Sequence, residues 1–185
     1  MQARKPTPRT QPHCIRGVTL IEVVIVVAII GIVTAAAMPS MRSTLSNSHS
    51  TTVGNRLLAD LSLARSEAIM SRMPAVVCPS SDRSTCSDSD DWSSGWIVFI
   101  DSDGNDQRSA SEPVLSAASG SDLGGLQVKS TVDRTKARFL PDGRSGGTNL
   151  SVRVCDGAKL TRSVVVNISG RSRLEMPATA QTACD

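Results

Sequence analysis

Residues 16–39 read RGVTLIEVVIVVAIIGIVTAAAMP, and this segment limits what the chain can be more than any other. From Val18 to Met38 every residue but Glu22 is uncharged, and nearly all are apolar. A run of about 20 such residues, wound as a helix, matches the hydrocarbon thickness of a bilayer. A carboxylate near one end of that helix is costly in lipid and needs a reason to be there. A secretory signal has a small-residue cleavage site after its apolar stretch. Ala35, Ala36 and Ala37 offer only a weak version of one.

Before the run lies a proline-containing leader with Arg4, Lys5, Arg9 and Arg16 and no acid. Basic residues on one flank set the orientation of a single-pass anchor, with that flank in the cytoplasm. An anchor alone does not explain an acid five residues after a glycine. The order basic leader, Gly17, then Val-Thr-Leu-Ile-Glu22 resembles the N-terminus of type IV prepilins. The resemblance implies cleavage between Gly17 and Val18 by a prepilin peptidase on the cytoplasmic side, and N-methylation of the new Val18 amine. Family members more often carry Phe or Met at that position, so Val18 is an apolar departure. The resemblance also implies that the Glu22 carboxylate pairs with the Val18 amine of a neighbouring pilin in a filament, which gives a buried charge its partner. The expected location is the inner membrane, single-pass, with the head in the periplasm and later in a pilus at the cell surface.

What remains after the anchor suffices for one modest domain. Its charge is uneven: residues 82–128 carry a net −7 and residues 129–185 a net +5. Such asymmetry points to an anion-facing surface toward the C-terminal end. Aromatics are Trp92, Trp96, Phe99 and Phe139 alone, so the core must be built from Val, Leu and Ile. Cys14 lies in the leader and leaves Cys78, Cys86, Cys155 and Cys184. A translocated head sits where disulfides persist. Three pairings are open to four cysteines; the sequence-local one, Cys78–Cys86 and Cys155–Cys184, is favoured and would tie down the C-terminal tail. Structural zinc sites show close C-x₂₋₄-C pairs, which this spacing lacks. No metal and no cofactor is called for.

Past Pro39, which should kink the helix rather than end it, apolar residues recur with helical spacing from Leu45 through Leu57, Leu61, Ala64 and Ala68 to Ile69. Pro74 marks the end. The expected organisation is a leader at 1–17, a membrane and assembly half-helix at 18–38, an amphipathic half at 39–73 and a β-rich head at 74–185. Bends are expected at Gly31 and Gly54. Strands are predicted at Ala75–Cys78, Gly95–Asp101, Glu112–Ala117, Leu126–Ser130, Lys136–Leu140, Leu150–Cys155 and Ser163–Ile168, with turn chemistry in PDGRSGG and CDGAK. Asp88–Ser94 and Ser116–Gly125 read as surface loops. The fold class is α+β: one long helix packed on an antiparallel sheet.

Two motifs suggest chemistry. Gly143-Arg-Ser-Gly-Gly147 fits the G-x-S-x-G nucleophile elbow, which requires a histidine later in the chain. The only histidines, His13 and His49, lie upstream, so no triad forms in that order, and the chain does not read as an enzyme. Asp101-Ser-Asp-Gly-Asn-Asp106 looks like a calcium loop, but its glycine is fourth where an EF-hand needs it sixth. The favoured reading is an Asp-Gly turn after a strand, with a weak calcium site as the alternative.

The segments WSSGWIVFIDSDGND, EPVL, ARFLPDG and VVVNISGRSR are similar to the heads of GspH/FimT-type minor pilins. In Gly170-Arg-Ser-Arg173 an extended backbone turns Arg171 and Arg173 to one side. Paired guanidinium groups suit phosphate. In FimT-like members of the family a GRxR segment at this position binds extracellular DNA, and Arg171 and Arg173 match it. Arg144, Arg153, Lys159 and Arg162 join the strip on charge alone. The expected partners are other pilins, the prepilin peptidase, the inner membrane and double-stranded DNA taken without sequence preference. The alternative is a GspH-like pseudopilin of a type II secretion filament, or a pilus-priming minor pilin that does not bind DNA.

Replacing Gly17 with phenylalanine should block leader removal, because the peptidase must fit an unbranched residue at its cut. The mass of the membrane-extracted variant should include all 17 leader residues. Loss of the leader would contradict the prepilin assignment.

Overall fold

The computed structural model describes residues 17–177 and Cys184, apart from the side chains of 36–43. The basic leader residues and Cys14 lie outside these. The chain divides into Met1–Arg42 and Ser43–Asp185.

Helix α1 runs Leu20–Ser71. It starts where Thr19 accepts the Glu22 N–H at its carbonyl (3.1 Å) and at its Oγ1 (3.4 Å). Thr19-x-x-Glu22 is therefore the first half of a capping box, and an acid in the first turn also complements the helix dipole. Glu22 thus has a local role besides any role in assembly. Pro39 does not terminate the helix. It ends instead at Ser71, where the next residue, Arg72, takes a left-handed φ of 56°, two residues before Pro74. Among the described residues no helix is long and apolar enough to cross a membrane. Described side chains of the apolar run stop at Ala35, short of Met38.

In Ser43–Asp185, two four-stranded antiparallel sheets stand where the sequence predicts one. The first has β1 (Ala75–Pro79), β2 (Gly95–Ile100), β3 (Val114–Ser119) and β5 (Ala137–Phe139) in the order β3-β2-β1-β5. The second has β4 (Gln127–Ser130), β6 (Leu150–Asp156), β7 (Lys159–Val166) and β8 (Ser172–Glu175) in the order β4-β6-β7-β8. Because each sheet is short, neither closes the core alone.

On α1, Val53, Leu57, Leu61, Ala64 and Ala68 form one buried stripe at spacings of three and four. They share a core with β1 and β2 of the first sheet and with Leu150, Val152, Val154, Val164 and Val166 of the second. All four aromatics are in the interior. Val76, Cys78, Ile97 and Phe99 form a smaller cluster on the other side of the first sheet. That second cover explains why β1 and β2 read as continuous apolar runs with no alternation. Gly54 has a packing role, where the sequence suggested a bend: a Cβ there would stand 2.7 Å from Cδ1 of Leu174 on β8. The helix and β8 approach closely at that point.

Several boundaries differ from the predicted ones. Ser116–Gly125 is not a loop: it holds the end of β3 and a 3-10 turn, Gly120–Leu123, whose Leu123 is buried. Asp88–Ser94 contains Trp92, a core residue. Glu112 precedes β3 instead of starting it. Its side chain is buried and accepts N–H groups from Ser102 (2.6 Å) and Ser109 (2.8 Å). β7 begins four residues earlier than predicted, at Lys159. β8 is a strand that apolar patterning did not reveal, because only Leu174 in it faces the core.

The cysteines pair as Cys78–Cys86, eight residues apart, and Cys155–Cys184, twenty-nine apart. The second links β6 to the C-terminal tail, and Leu160 packs beside it.

Asp60 of α1 is a buried carboxylate that faces the first sheet. It accepts the Trp96 indole N–H (2.8 Å), the Ser116 hydroxyl (2.8 Å) and Arg56 Nε (3.3 Å). This links helix, β2 and β3. Asp60→Ala should leave the Trp96 donor unsatisfied and destabilise the protein by roughly 1–3 kcal/mol. Urea unfolding followed by tryptophan fluorescence measures it; an unchanged midpoint would mean the network contributes nothing.

Candidate nucleic-acid interface

The basic C-terminal half comes to the surface in two turns and one edge strand. The first turn, between β5 and β6, spans Leu140–Arg144, with Gly143 N–H on the Leu140 carbonyl (2.8 Å) and Leu140 N–H on the Arg144 carbonyl (2.8 Å). The second joins β7 to β8, with Gly170 N–H on the Asn167 carbonyl (2.8 Å) and Asn167 N–H on the Arg171 carbonyl (3.1 Å). The two turns touch. Gly170 has φ 76° and a Cβ on it would overlap the Gly143 carbonyl oxygen, so only glycine fits. Ser145 N–H adds a bond to the Ile168 carbonyl (3.0 Å). Contact between the turns brings Arg144 and Arg171 into neighbouring positions although 27 residues separate them.

Arg171 is exposed, and its side chain makes no hydrogen bond or ion pair among the described residues. Arg173, on β8, is exposed and pairs with Glu175 (Nε to Oε1, 2.5 Å). In β8, Leu174 faces α1 and Arg173 and Glu175 face away from it. Arg171 directly precedes the strand. Arg144 is exposed and gives its Nε to Asp142 (2.7 Å). The Arg144 backbone N–H and then its side chain hold the Asp142 carboxyl below the ordinary carboxylate value.

The remaining basic residues spread over different surfaces. Arg153 stands on the outer face of the second sheet, paired across strands with Lys129 and Ser163. Lys129, which charge reasoning passed over, shares that face with Arg153, Arg173 and Glu175. Arg162 has the parity of Val164 and lies toward α1, its Cβ near Gly54 and its Nη1 on the Thr161 carbonyl (2.6 Å). Lys159 stands at the far end of β7, opposite Asp156 and about 23 Å from Val166 at ~3.3 Å per residue. Arg162 and Lys159 therefore do not join the Arg171 cluster. A bulge at Val154–Cys155 changes the pairing register there, which sequence spacing does not reveal.

Other cations are engaged elsewhere. In a cleft of about 460 Å³, Lys136 pairs with Asp88 (2.8 Å) and Arg138 with Asp106 (3.1 Å), while Arg134 bonds to Ser145 and Gly146. Ser145, the serine of the elbow motif, is buried and accepts from Arg134. His49 lies against Gly124, in another part of the head. Carboxylate oxygens of Asp101, Asp103 and Glu112 gather within 4.8 Å of one another. Asp101 already accepts the N–H groups of Gly104 and Asn105 (3.0 Å each) and faces Arg138 (3.7 Å). Burial pushes the Glu112 carboxyl up, but hydrogen bonds from Ser109 and Ser102 outweigh it and hold the group below its ordinary value. These acids have internal donors and need no cation to satisfy them.

Arg65 of α1 reaches both turns. It is half-buried and donates from Nε to the Gly143 carbonyl (2.9 Å) and from Nη2 to the Ser169 carbonyl (3.5 Å). Helical periodicity shows only that Arg65 is off the apolar stripe; that the turns meet above it is decided by the packing of α1 on the second sheet.

The prokaryotic N-terminal methylation motif matches residues 13–38, a span that contains Gly17, Val18 and Glu22. No curated protein sequence matches the chain. Two crystal structures of the type IV minor pilin FimU of Pseudomonas aeruginosa (strain PAO1), in space groups P65 and P21, are similar in fold. Each is 22% identical with a TM-score of 0.56 over 73% of this chain, and the match covers 99% and 94% of FimU respectively. The minor pseudopilin EpsH from the type 2 secretion system of Vibrio cholerae is 15% identical, with a TM-score of 0.47 over 71% of this chain and 99% of its own. The family model for the type II transport protein GspH matches residues 53–170, more than half of the chain, and stops just before Arg171. The GspH family model over more than half of the chain, with the N-terminal methylation motif ahead of it, leads to one conclusion: the chain belongs to the GspH family, that of GspH/FimT-like type IV minor pilins.

Proposed function

We propose that this minor pilin binds extracellular double-stranded DNA, without sequence preference, for uptake during natural transformation. The observation that carries the reading is Arg171: an exposed guanidinium without a side-chain partner among the described residues, beside exposed Arg173, at the edge of the second sheet. The Arg173–Glu175 pair is exposed, and such pairs are worth about 0–1 kcal/mol, so a phosphate competes with Glu175 readily. All four aromatics are interior, which leaves no stacking platform for single strands. Contacts then fall on phosphates, which carry no sequence information.

In this reading the peptidase cuts between Gly17 and Val18, the Val18 amine is methylated, and Val18–Met38 anchors the protein in the inner membrane by a single pass. The head is periplasmic until the subunit joins a filament. Glu22 then meets the Val18 amine of a neighbouring pilin. Leader, apolar half-helix, amphipathic half and head keep the boundaries at 17, 38 and 73.

A second reading has support of its own. The matching family model describes a type II transport protein, and it ends before the arginines. On that reading the chain is a pseudopilin of a secretion filament, or a pilus-priming subunit, and Arg171 and Arg173 only solubilise an edge strand.

A gel-shift titration of the full chain in detergent separates the two. The wild type should bind duplex DNA of unrelated sequences equally, with log K falling against log salt at about −3 to −4.5, as for three to five phosphate contacts. The double variant Arg171→Ala with Arg173→Ala should lose most of the binding while stability changes by under about 0.5 kcal/mol. Equal shifts by wild type and variant, or none by either, would return the protein to the secretion or priming reading.

A further inference from the structure

We propose that Arg65 of α1 is a positioning residue for the DNA interface: it holds the Gly143-Arg144 and Gly170-Arg171 turns against each other, so that Arg144 and Arg171 form one two-guanidinium grip on phosphate. The inference rests on the DNA reading above and adds to it a supporting residue from the helix and a partner for Arg171 that the GRSR segment does not contain.

The geometry is specific. Arg65 donates to the carbonyl of Gly143, the residue before Arg144 (2.9 Å), and to that of Ser169, the residue before Gly170 (3.5 Å). One guanidinium thus caps an acceptor from each turn. Above it the turns touch through glycine, since a Cβ on Gly170 would overlap the Gly143 oxygen and come within 3.3 Å of Cα of Arg144. The Ser145–Ile168 bond (3.0 Å) closes the junction on its other side. Neither turn is held this way by its own strands.

Each arginine at the junction keeps donors for a ligand. Asp142 takes the Arg144 backbone N–H (3.0 Å) and Nε (2.7 Å), which fixes the side chain's direction. The terminal nitrogens of Arg144, and the whole guanidinium of Arg171, have no hydrogen-bond partner among the described residues. Guanidinium groups side by side repel each other unless an anion lies between them, and phosphate fits their planar forks. Lysine cannot replace Arg65 fully: its ammonium is a single point donor, whereas the planar fork reaches carbonyls of two turns.

The test measures the salt dependence of duplex binding by the full chain in detergent, below the melting temperature of every variant. Arg65→Ala and Arg144→Ala should each flatten the slope of log K against log salt by about 1, the loss of one phosphate contact. The double variant should flatten it no further, because both changes break the same grip. Arg65→Lys should flatten it by less than Arg65→Ala, and it serves alone if the alanine variant does not fold. A residue with only a structural role would lower the melting temperature and leave the slope unchanged. The inference is overturned, with the DNA reading intact, if the wild type binds and the Arg171/Arg173 double variant does not, yet the Arg65 variants keep the wild-type slope or their effects add to that of Arg144→Ala. If the wild type itself fails to shift DNA, both fall.

Discussion

The buried stripe Val53–Leu57–Leu61–Ala64–Ala68 packs in one core with residues of both sheets. A four-stranded sheet of short strands cannot cover its own apolar face. The helix contributes to covering both, and each fully buried leucine contributes about 1.5–3 kcal/mol to that arrangement. Gly54 lets β8 come close to α1. Removing the helix from this head would expose the inner faces of both sheets at once.

The same contact sets the position of the basic residues. Because Leu174 is drawn to Gly54, β8 is oriented with Arg173 and Glu175 outward. Because α1 continues past Ala64, Arg65 arrives beneath the two turns that carry Arg144 and Arg171. Net charge is a poor guide to which arginines are available. The segment from Lys129 onward is strongly basic, but Lys136 and Arg138 are neutralised by Asp88 and Asp106, which belong to the acidic segment. The acidic and basic halves therefore partly cancel across the fold.

A pilin-class protein must satisfy two solvents with one chain. Its N-terminal run has to tolerate lipid, while the second half of the same helix has to present a single apolar face to a water-soluble head. The change of solvent requires a change of pattern, which is visible at Pro39: continuous apolar sequence before it, stripes at spacings of three and four after it. Glu22 is the exception in the first half, and its position in the capping turn gives it a local structural role independent of any assembly partner.

Sequence alone determined the long helix, its two characters and its end near Pro74, because periodicity and proline act locally. It also placed β1, β2, β5 and β6 to within a few residues, as runs of β-branched and apolar residues bounded by turns. The N-terminal motif and the head segments carried the family. Tertiary structure decided the rest. Two sheets rather than one, the burial of Trp92, the strand content of Ser116–Ser119 and the existence of β8 all depend on what packs on the other side, which local pattern does not encode. Among the basic residues, the outward direction of Arg173 in β8 follows from alternation along an extended segment, a local rule. The separation of Lys159 and Arg162 from β8's outer face, the approach of the Arg144 and Arg171 turns, and the Arg65 bonds to both follow from strand register and a glycine-to-glycine contact between segments distant in the chain, and only the folded packing sets those.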